Sequence, residues 1–278
     1  MHSESDPETP DTGEARRVES DMKDWSSVVE KDADGSRDAS STATSWTLIH
    51  DATNDGSPTM KASRETLVRR YWSAVYAFIR SSGRSESQAE DLTQGFFCDV
   101  VLGRDLFDRA DASRGRFRSL LLSAVRNYLA DDYRMRTAQR RSPGPNGVGS
   151  LDDDNGIQVA SNELDPEAAF NNRWVDALIK LTRDQVRADL LEADQAMHWD
   201  ILERRILVPC LTGAAPVPHD ELAIRWGLKG LPQVANILVT AKRRFARTLL
   251  DNVRETLTSG ASASNELNEL FKALGAGR

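Results

Sequence analysis

Residues 88–97 read Gln88-Ala89-Glu90-Asp91-Leu92-Thr93-Gln94-Gly95-Phe96-Phe97, and the way they sort apolar from polar side chains decides the fold class. Leu92 and Phe96 stand four residues apart, the period that puts two side chains on one face of an α-helix. With one or more neighbours they should point inward, while Glu90, Asp91 and Gln94 stand outward as acceptors for a basic partner. Periodicity alone also allows an ordinary solvated polar face. Three residues before Gln88, Ser85 completes the Ser-x-x-Gln pattern of a capping box. A helix is predicted from Ser85 through Leu102, closed by Gly103.

Helical spacing continues on both sides. Upstream, Leu67, Tyr71, Val75, Phe78 and Ile79 predict a helix that Gly83 ends. Downstream, a loop from Asp105 to Gly115 leads to a long helix from Phe117 to about Arg136, with Leu120, Leu121, Ala124, Val125, Tyr128 and Leu129 as its apolar face. Thr44–Ile49 is an apolar island expected to pack on this domain, which spans 44–141. Residues 1–43, rich in Ser, Asp, Glu and Thr, read as a disordered acidic tail. Residues 142–166 read as a flexible linker.

Helices resume after Pro166 and connect the domains over 167–212. Phe170, Trp174, Ala177, Leu178 and Leu181 form one stripe, and Trp199, Leu202, Ile206 and Leu207 another. Beyond a break at Gly213–Pro218, residues 213–258 carry a helix-turn-helix pattern, with helices over His219–Trp226 and Pro232–Leu257. Leu222, Ala223, Trp226, Val234, Leu238, Ala241 and Phe245 should face inward. Gln233, Asn236, Thr240, Lys242, Arg243, Arg244 and Arg247 supply the polar side. Gln and Asn can read adenine edges and Arg can read guanine or phosphate. A helical packing unit with a solvated basic face is the other reading. The tail, 259–278, holds Leu267, Leu270, Phe271 and Leu274 at the spacing of one short helix. The expected fold is therefore all-α, with two small helical domains joined by a linker and extra helices.

The net charge of −7 over 278 residues looks unfavourable for a nucleic-acid partner until it is divided. Residues 1–60 hold 14 acidic and 5 basic side chains, so the rest of the chain is slightly basic. Residues 104–141 hold 10 arginines and 5 aspartates, and 222–250 hold 6 basic residues and no acid. Those two stretches are where a phosphate backbone can be met. In the first, Arg114, Arg116, Arg118, Arg126, Arg134, Arg136, Arg140 and Arg141 suit bidentate phosphate contacts. Phe117, Tyr128 and Tyr133 suit stacking on exposed bases. The same arginines can instead pair with Asp108, Asp111, Asp131 and Asp132 along a salt-bridged face.

No phosphate-binding glycine loop or nucleophile motif is present, and the four histidines are scattered, so no enzyme, metal site or cofactor is expected. Cys98 and Cys210 lie far apart and read as two small buried hydrophobes in a reducing compartment. No run reaches the length of a membrane-spanning helix, and the N-terminus lacks a secretory pattern. A cytoplasmic protein without membrane or small-molecule partners is expected.

The residues 88–97 closely resemble the core of region 2.2 in extracytoplasmic-function (ECF) RNA polymerase sigma factors. Tyr71–Arg80 is similar to region 2.1. Gly115-Arg116-Phe117-Arg118-Ser119-Leu120-Leu121 and Arg126-Asn127-Tyr128-Leu129 are similar to regions 2.3 and 2.4, and 213–258 resembles region 4. Thr44–Ile49 and Trp174–Leu207 resemble segments of an ECF subgroup common in planctomycete-type bacteria.

The resemblance implies that Glu90, Asp91, Leu92, Gln94, Phe96 and Phe97 dock on the clamp helices of core RNA polymerase. It implies that Asp105–Gly115 forms a pocket for a flipped base of the −10 promoter element. Arg114, Arg116, Phe117, Arg118, Asn127, Tyr128 and Arg134 would be the −10 contacts. Gln233, Asn236, Thr240, Lys242, Arg243 and Arg244 would face the −35 element. Two departures from the family pattern lie here: the turn Lys229–Gln233 is one residue longer, and Thr240 stands where a basic residue is common. The sequence thus points to a sigma factor, with a stand-alone helix-turn-helix regulator and a degenerate homologue acting as a protein-interaction module as alternatives. An inhibitor protein is a further possible partner. The acidic tail is either a passive solubilising segment or a competitor of DNA for the arginine-rich face.

Overall fold

The computed structural model describes residues 47–53, 58–101, 103, 106, 117–141, 165–254, 263 and 265–267. The expected acidic tail, nearly all of the linker, and Arg114 and Arg116 lie outside them. The described residues are helical, with no strand among them: α1 (Thr47–Thr53), α2 (Met60–Ser81), α3 (Glu86–Phe96), α4 (Phe117–Arg141), α5 (Pro166–Glu192), α6 (Ala196–Leu202), α7 (Val208–Thr212), α8 (His219–Arg225) and α9 (Leu231–Arg254). The chain forms two compact units that do not follow chain order. Among described residues, one unit is 183–248, and the other combines 47–182 with 249–267. The boundaries fall inside α5 and α9, so the segments on either side of the helix-turn-helix are divided between the units.

In the larger unit, the stripe of α2 is buried as its spacing requires: Leu67, Tyr71, Val75, Phe78 and Ile79. Gly83 ends that helix at φ 85. The capping box at α3 is complete, with the Ser85 side chain accepting from Gln88 N and the Gln88 side chain accepting from Ser85 N. After Phe96 the helix widens into a π-helical turn, Phe97–Val101. In α4, Phe117, Leu121, Leu122 and Val125 are the buried residues. Tyr71 meets Phe117 edge-on at 5.4 Å. Each large apolar side chain taken out of water here contributes on the order of 1.5–3 kcal/mol. The described end of the apolar island, 47–49, opens helix α1, and 44–46 lie outside the described residues. This helix buries Ile49 and Ala52, and Arg64 Nε donates to the Ala52 carbonyl at 2.8 Å. The end of α9 joins this unit through Asn252 Nδ2, which donates to the buried Thr182 Oγ1 at 3.1 Å.

In the smaller unit, α6 runs through a π-helical turn, Glu203–Leu207, into α7. Val208 N–H reaches back five residues to the Glu203 carbonyl. The widening comes just before Pro209, which has no N–H to give a helical partner. Val186, Leu190, Trp199, Ile201, Leu202, Ile206 and Leu207 are buried here, with Leu222, Val234, Leu238, Ala241 and Phe245 from the helix pair. One expectation fails in both units: Cys98 and Cys210 are exposed. Cysteine is small and apolar enough for a core, but each of these falls on the outer side of a π-widened stretch or the helix after it. No helix among the described residues is long and apolar enough to cross a membrane.

Candidate protein-docking and nucleic-acid surfaces

Helix α3 separates its side chains by face. Leu92, Phe96 and Phe97 are buried, while Glu90, Asp91 and Gln94 are exposed. The buried half is an aromatic stack: Phe96 meets Phe97 edge-on at 5.5 Å and Tyr128 at 5.6 Å. Trp72 of α2 lies nearly parallel to Phe97 at 5.3 Å and keeps 38% of its surface exposed. Trp72 was not among the sequence candidates. The available signal was an indole just off the 67/71/75/78/79 stripe, where a core residue is not required. The outer face thus offers carboxylates and an amide, with a part-exposed indole stacked on the aromatic layer beneath. A basic and aromatic partner surface suits that chemistry.

The arginine-bearing helix α4 departs from its expected role at several positions. Phe117 is 1% exposed, so its ring belongs to the core and offers no surface for a base to stack on. Arg118 is withdrawn from solvent: its Nε and Nη2 face Glu266 Oε1 at 3.0 and 2.9 Å. Its Nη1 donates to Asn171 Oδ1, and its guanidinium lies 5.8 Å from the Trp174 ring centroid. Tyr128 is half-buried against Phe96. Burial, together with the nearby Asp99 and Asp132 carboxylates and Cys98, pushes its hydroxyl above the usual range. Tyr128 turns inward as its place on the apolar face requires, whereas Phe117 and Arg118 do so because each meets a distant segment that the local pattern does not report.

Arg134 and Arg136 are exposed but paired within the helix, to Asp131 at 3.0 Å and Asp132 at 2.9 Å. Asp132 also receives Arg84 at 3.4 Å, and Arg126 pairs with Glu167. The salt-bridged reading therefore holds for Arg134 and Arg136 with Asp131 and Asp132, while Arg118 and Arg126 pair with glutamates of other segments. The exposed pairs, Arg134–Asp131 and Arg126–Glu167, contribute only about 0–1 kcal/mol, so a phosphate can replace the acid there at little cost, whereas Asp132 is largely buried. Asn127 is exposed, and Tyr133 is 62% exposed. They are the uncommitted base-facing candidates of this helix.

In the smaller unit, α8 ends in a Schellman motif. Leu228 N–H bonds the Ala223 carbonyl at 2.8 Å and Gly227 N–H bonds Ile224 at 3.2 Å. Gly227 adopts φ 61, a conformation that glycine reaches without strain. Helix α9 starts at Leu231, with Pro232 in its first turn, where a missing N–H leaves no partner unmet. Gln233 Oε1 accepts from Lys229 N at 3.1 Å. That bond ties the side chain to the turn through one of the oxygen's two lone pairs and leaves the amide donors available. Asn236, Thr240, Arg243 and Arg247 are exposed, and Lys242 is half-buried. Arg244 is exposed and paired with Asp189 at 3.2 Å.

Trp226, expected to face inward, is 36% exposed. Its Nε1 donates to Asp200 Oδ2 at 2.9 Å, and Asp200 also takes Arg225 Nε at 3.0 Å and Arg204 Nε at 2.7 Å. Burial alone would raise the Asp200 carboxyl. Hydrogen bonds from Arg204 and Trp226, with the charges of Arg204 and Arg225, outweigh it and hold the group below its ordinary value. Arg205 Nη1 donates to the Pro216 and Val217 carbonyls at 3.4 and 3.2 Å. These two anchors fix the helix pair on α6 and the π-helical turn after it. No local pattern marked them, since their partners lie 11–26 residues away.

Among the described residues no group of three or more His, Cys, Asp or Glu is placed to hold a metal ion. Compared with family models, curated proteins and solved structures, the chain matches none.

Proposed function

We propose that this chain is a sigma factor of the ECF type, which binds core RNA polymerase and directs promoter recognition and strand opening in the cytoplasm. The observation that carries the reading is helix α3, where the Ala-Glu-Asp-Leu-Thr-Gln-x-Phe-Phe pattern sets exposed Glu90, Asp91 and Gln94 over buried Leu92, Phe96 and Phe97. A second compact unit carries a helix-turn-helix whose long helix exposes Asn236, Thr240 and Arg243, residue types suited to a major groove. In this reading α3 meets the polymerase clamp, α4 and the loop before it meet the −10 element, and α9 meets the −35 element. Strand opening needs no catalytic group, because captured bases and polymerase contacts offset an unstacking cost of a few kcal/mol.

The test is capture by purified core polymerase combined with run-off transcription on a genomic fragment library. Asp91→Arg should abolish both, and unchanged capture by that variant would sink the reading. A second reading, a stand-alone helix-turn-helix regulator, draws on the engagement of Arg118, Arg134 and Arg136 by acidic side chains. It predicts tight duplex binding without polymerase, which the first reading does not.

A further inference from the structure

Glu266, from the segment after α9, is 2% exposed and lies against Arg118 at the start of α4. Two apolar residues seat the same turn: Ala263 and Leu267, four apart, are 6% and 1% exposed. A buried ion pair is seldom a better fastening than apolar side chains of equal volume. What it adds is exchangeability, because a competing anion can take the place of the carboxylate.

The guanidinium is held from two other directions that do not depend on Glu266. Asn171 binds Nη1, and the Trp174 ring lies beneath the cation at 5.8 Å. Asn171 and Trp174 are three residues apart on one face of α5. The edge carrying Nε and Nη2 is the edge that faces Glu266. That two-donor edge matches a phosphate as well as a carboxylate. With Glu266 removed, the arginine is left oriented rather than free to rotate, so an incoming anion meets an ordered receptor.

We propose that residues 263 and 265–267 form a latch in which the Glu266 carboxylate occupies a nucleic-acid phosphate site on Arg118. The closed latch keeps the start of α4 from DNA, and release of the segment exposes a preorganised contact. The inference rests on the reading of α4 as a DNA-facing helix. It goes beyond that reading by giving the C-terminal segment an inhibitory role.

The test uses full-length protein and a fluorescent single-stranded oligonucleotide of mixed sequence, followed by anisotropy at several salt concentrations. Glu266→Gln should bind several-fold more tightly than wild type at low salt, with a log–log salt slope steeper by about one phosphate contact. The double variant Arg118→Gln with Glu266→Gln should lose the gain. Leu267→Ser loosens the segment without changing charge and should also tighten binding. Unchanged or weaker binding by both folded single variants, or a gain that survives in the double variant, would overturn the latch. Capture by core polymerase separates the two ideas. Intact capture with unchanged DNA affinity refutes the latch alone, whereas absent capture in every variant refutes the sigma reading.

Discussion

The indole Nε1 of Trp226 donates to Asp200 Oδ2 at 2.9 Å, which fastens the residue closing α8 to a helix 26 positions earlier. The same carboxylate takes Arg225 and Arg204, so one acid gathers three donors at the base of the helix-turn-helix. Arg204 and Arg225 keep roughly half their side-chain surface in water (42% and 50% exposed). Solvent at the two guanidinium groups discounts their ion pairs, although Asp200 itself is only 16% exposed. Asp200→Ala should destabilise the chain by about 1–2 kcal/mol through the lost hydrogen bonds from Arg204 and Trp226 and the lost orientation of the turn. Urea denaturation checks the size. A double-mutant cycle with Trp226→Phe should show coupling, and additive effects would refute the shared role.

Acidification should weaken the smaller unit in two stages. Burial lowers the pKa of His198 and, with the nearby Arg205 and Lys242 charges, that of His219. The Nδ1 of His198 and the Nε2 of His219 are buried without a hydrogen-bond partner, so a proton there would sit uncompensated. Because both folded values lie below the unfolded value of about 6.5, the unfolded chain binds more protons once pH falls under it, and stability drops. The depressed Asp200 carboxyl contributes stability above the unfolded carboxylate value, and this is lost as pH falls through the folded one. Melting temperature followed from pH 7.5 downward should decline first near 6.5. Replacing both histidines by Gln should remove that first decline while leaving the acidic one.

Gly95 sits where the Tyr128 hydroxyl comes closest to α3, and a methyl group there would collide with it. The ring cannot easily retreat, since it rests edge-on against buried Phe96. Gly95→Ala should cost about 1–3 kcal/mol through overpacking, despite alanine's better helix propensity. In a Tyr128→Phe background, which lacks the hydroxyl, most of that cost should vanish. An equal cost in both backgrounds would locate the strain elsewhere.

Asp194 turns the chain between α5 and α6 at φ 55. Gln195 N–H bonds the Leu190 carbonyl at 2.7 Å and Asp194 N–H bonds Leu191 at 3.1 Å, the Schellman pattern that glycine usually closes. Asp194→Gly should therefore raise stability by about 0.5–1 kcal/mol, as the left-handed penalty exceeds the added chain entropy. A lower denaturation midpoint would contradict this.

If α9 meets DNA, neighbouring arginines should differ. Among the described residues no acid pairs with Arg243, whereas Arg244 gives up Asp189 before it can take a phosphate. Arg243→Ala should weaken duplex binding by the polymerase-bound protein and reduce its salt slope by about one. Arg244→Ala should have the smaller effect. Equal losses would show that the Asp189 pair does not persist in solution.

The amino-acid sequence alone determined where helices begin, end and turn their apolar sides. Ser85 with Gln88, Gly83, Gly227 and the stripe from Leu67 to Ile79 act through hydrogen bonds and side-chain spacing within a turn or two, and such information is local. Outward Glu90, Asp91 and Gln94 follow from the same periodicity. Tertiary structure alone decided the fate of Phe117, Arg118, Trp226 and the two cysteines. Arg118 has the residue type of a phosphate contact, yet its partner Glu266 lies 148 positions away. No periodicity reports what stands across from a side chain. The pairs of Arg134 with Asp131 and of Arg136 with Asp132 lie within one helical turn and were legible as the salt-bridged alternative, whereas the partners of Arg118 and Arg126 were fixed by packing alone.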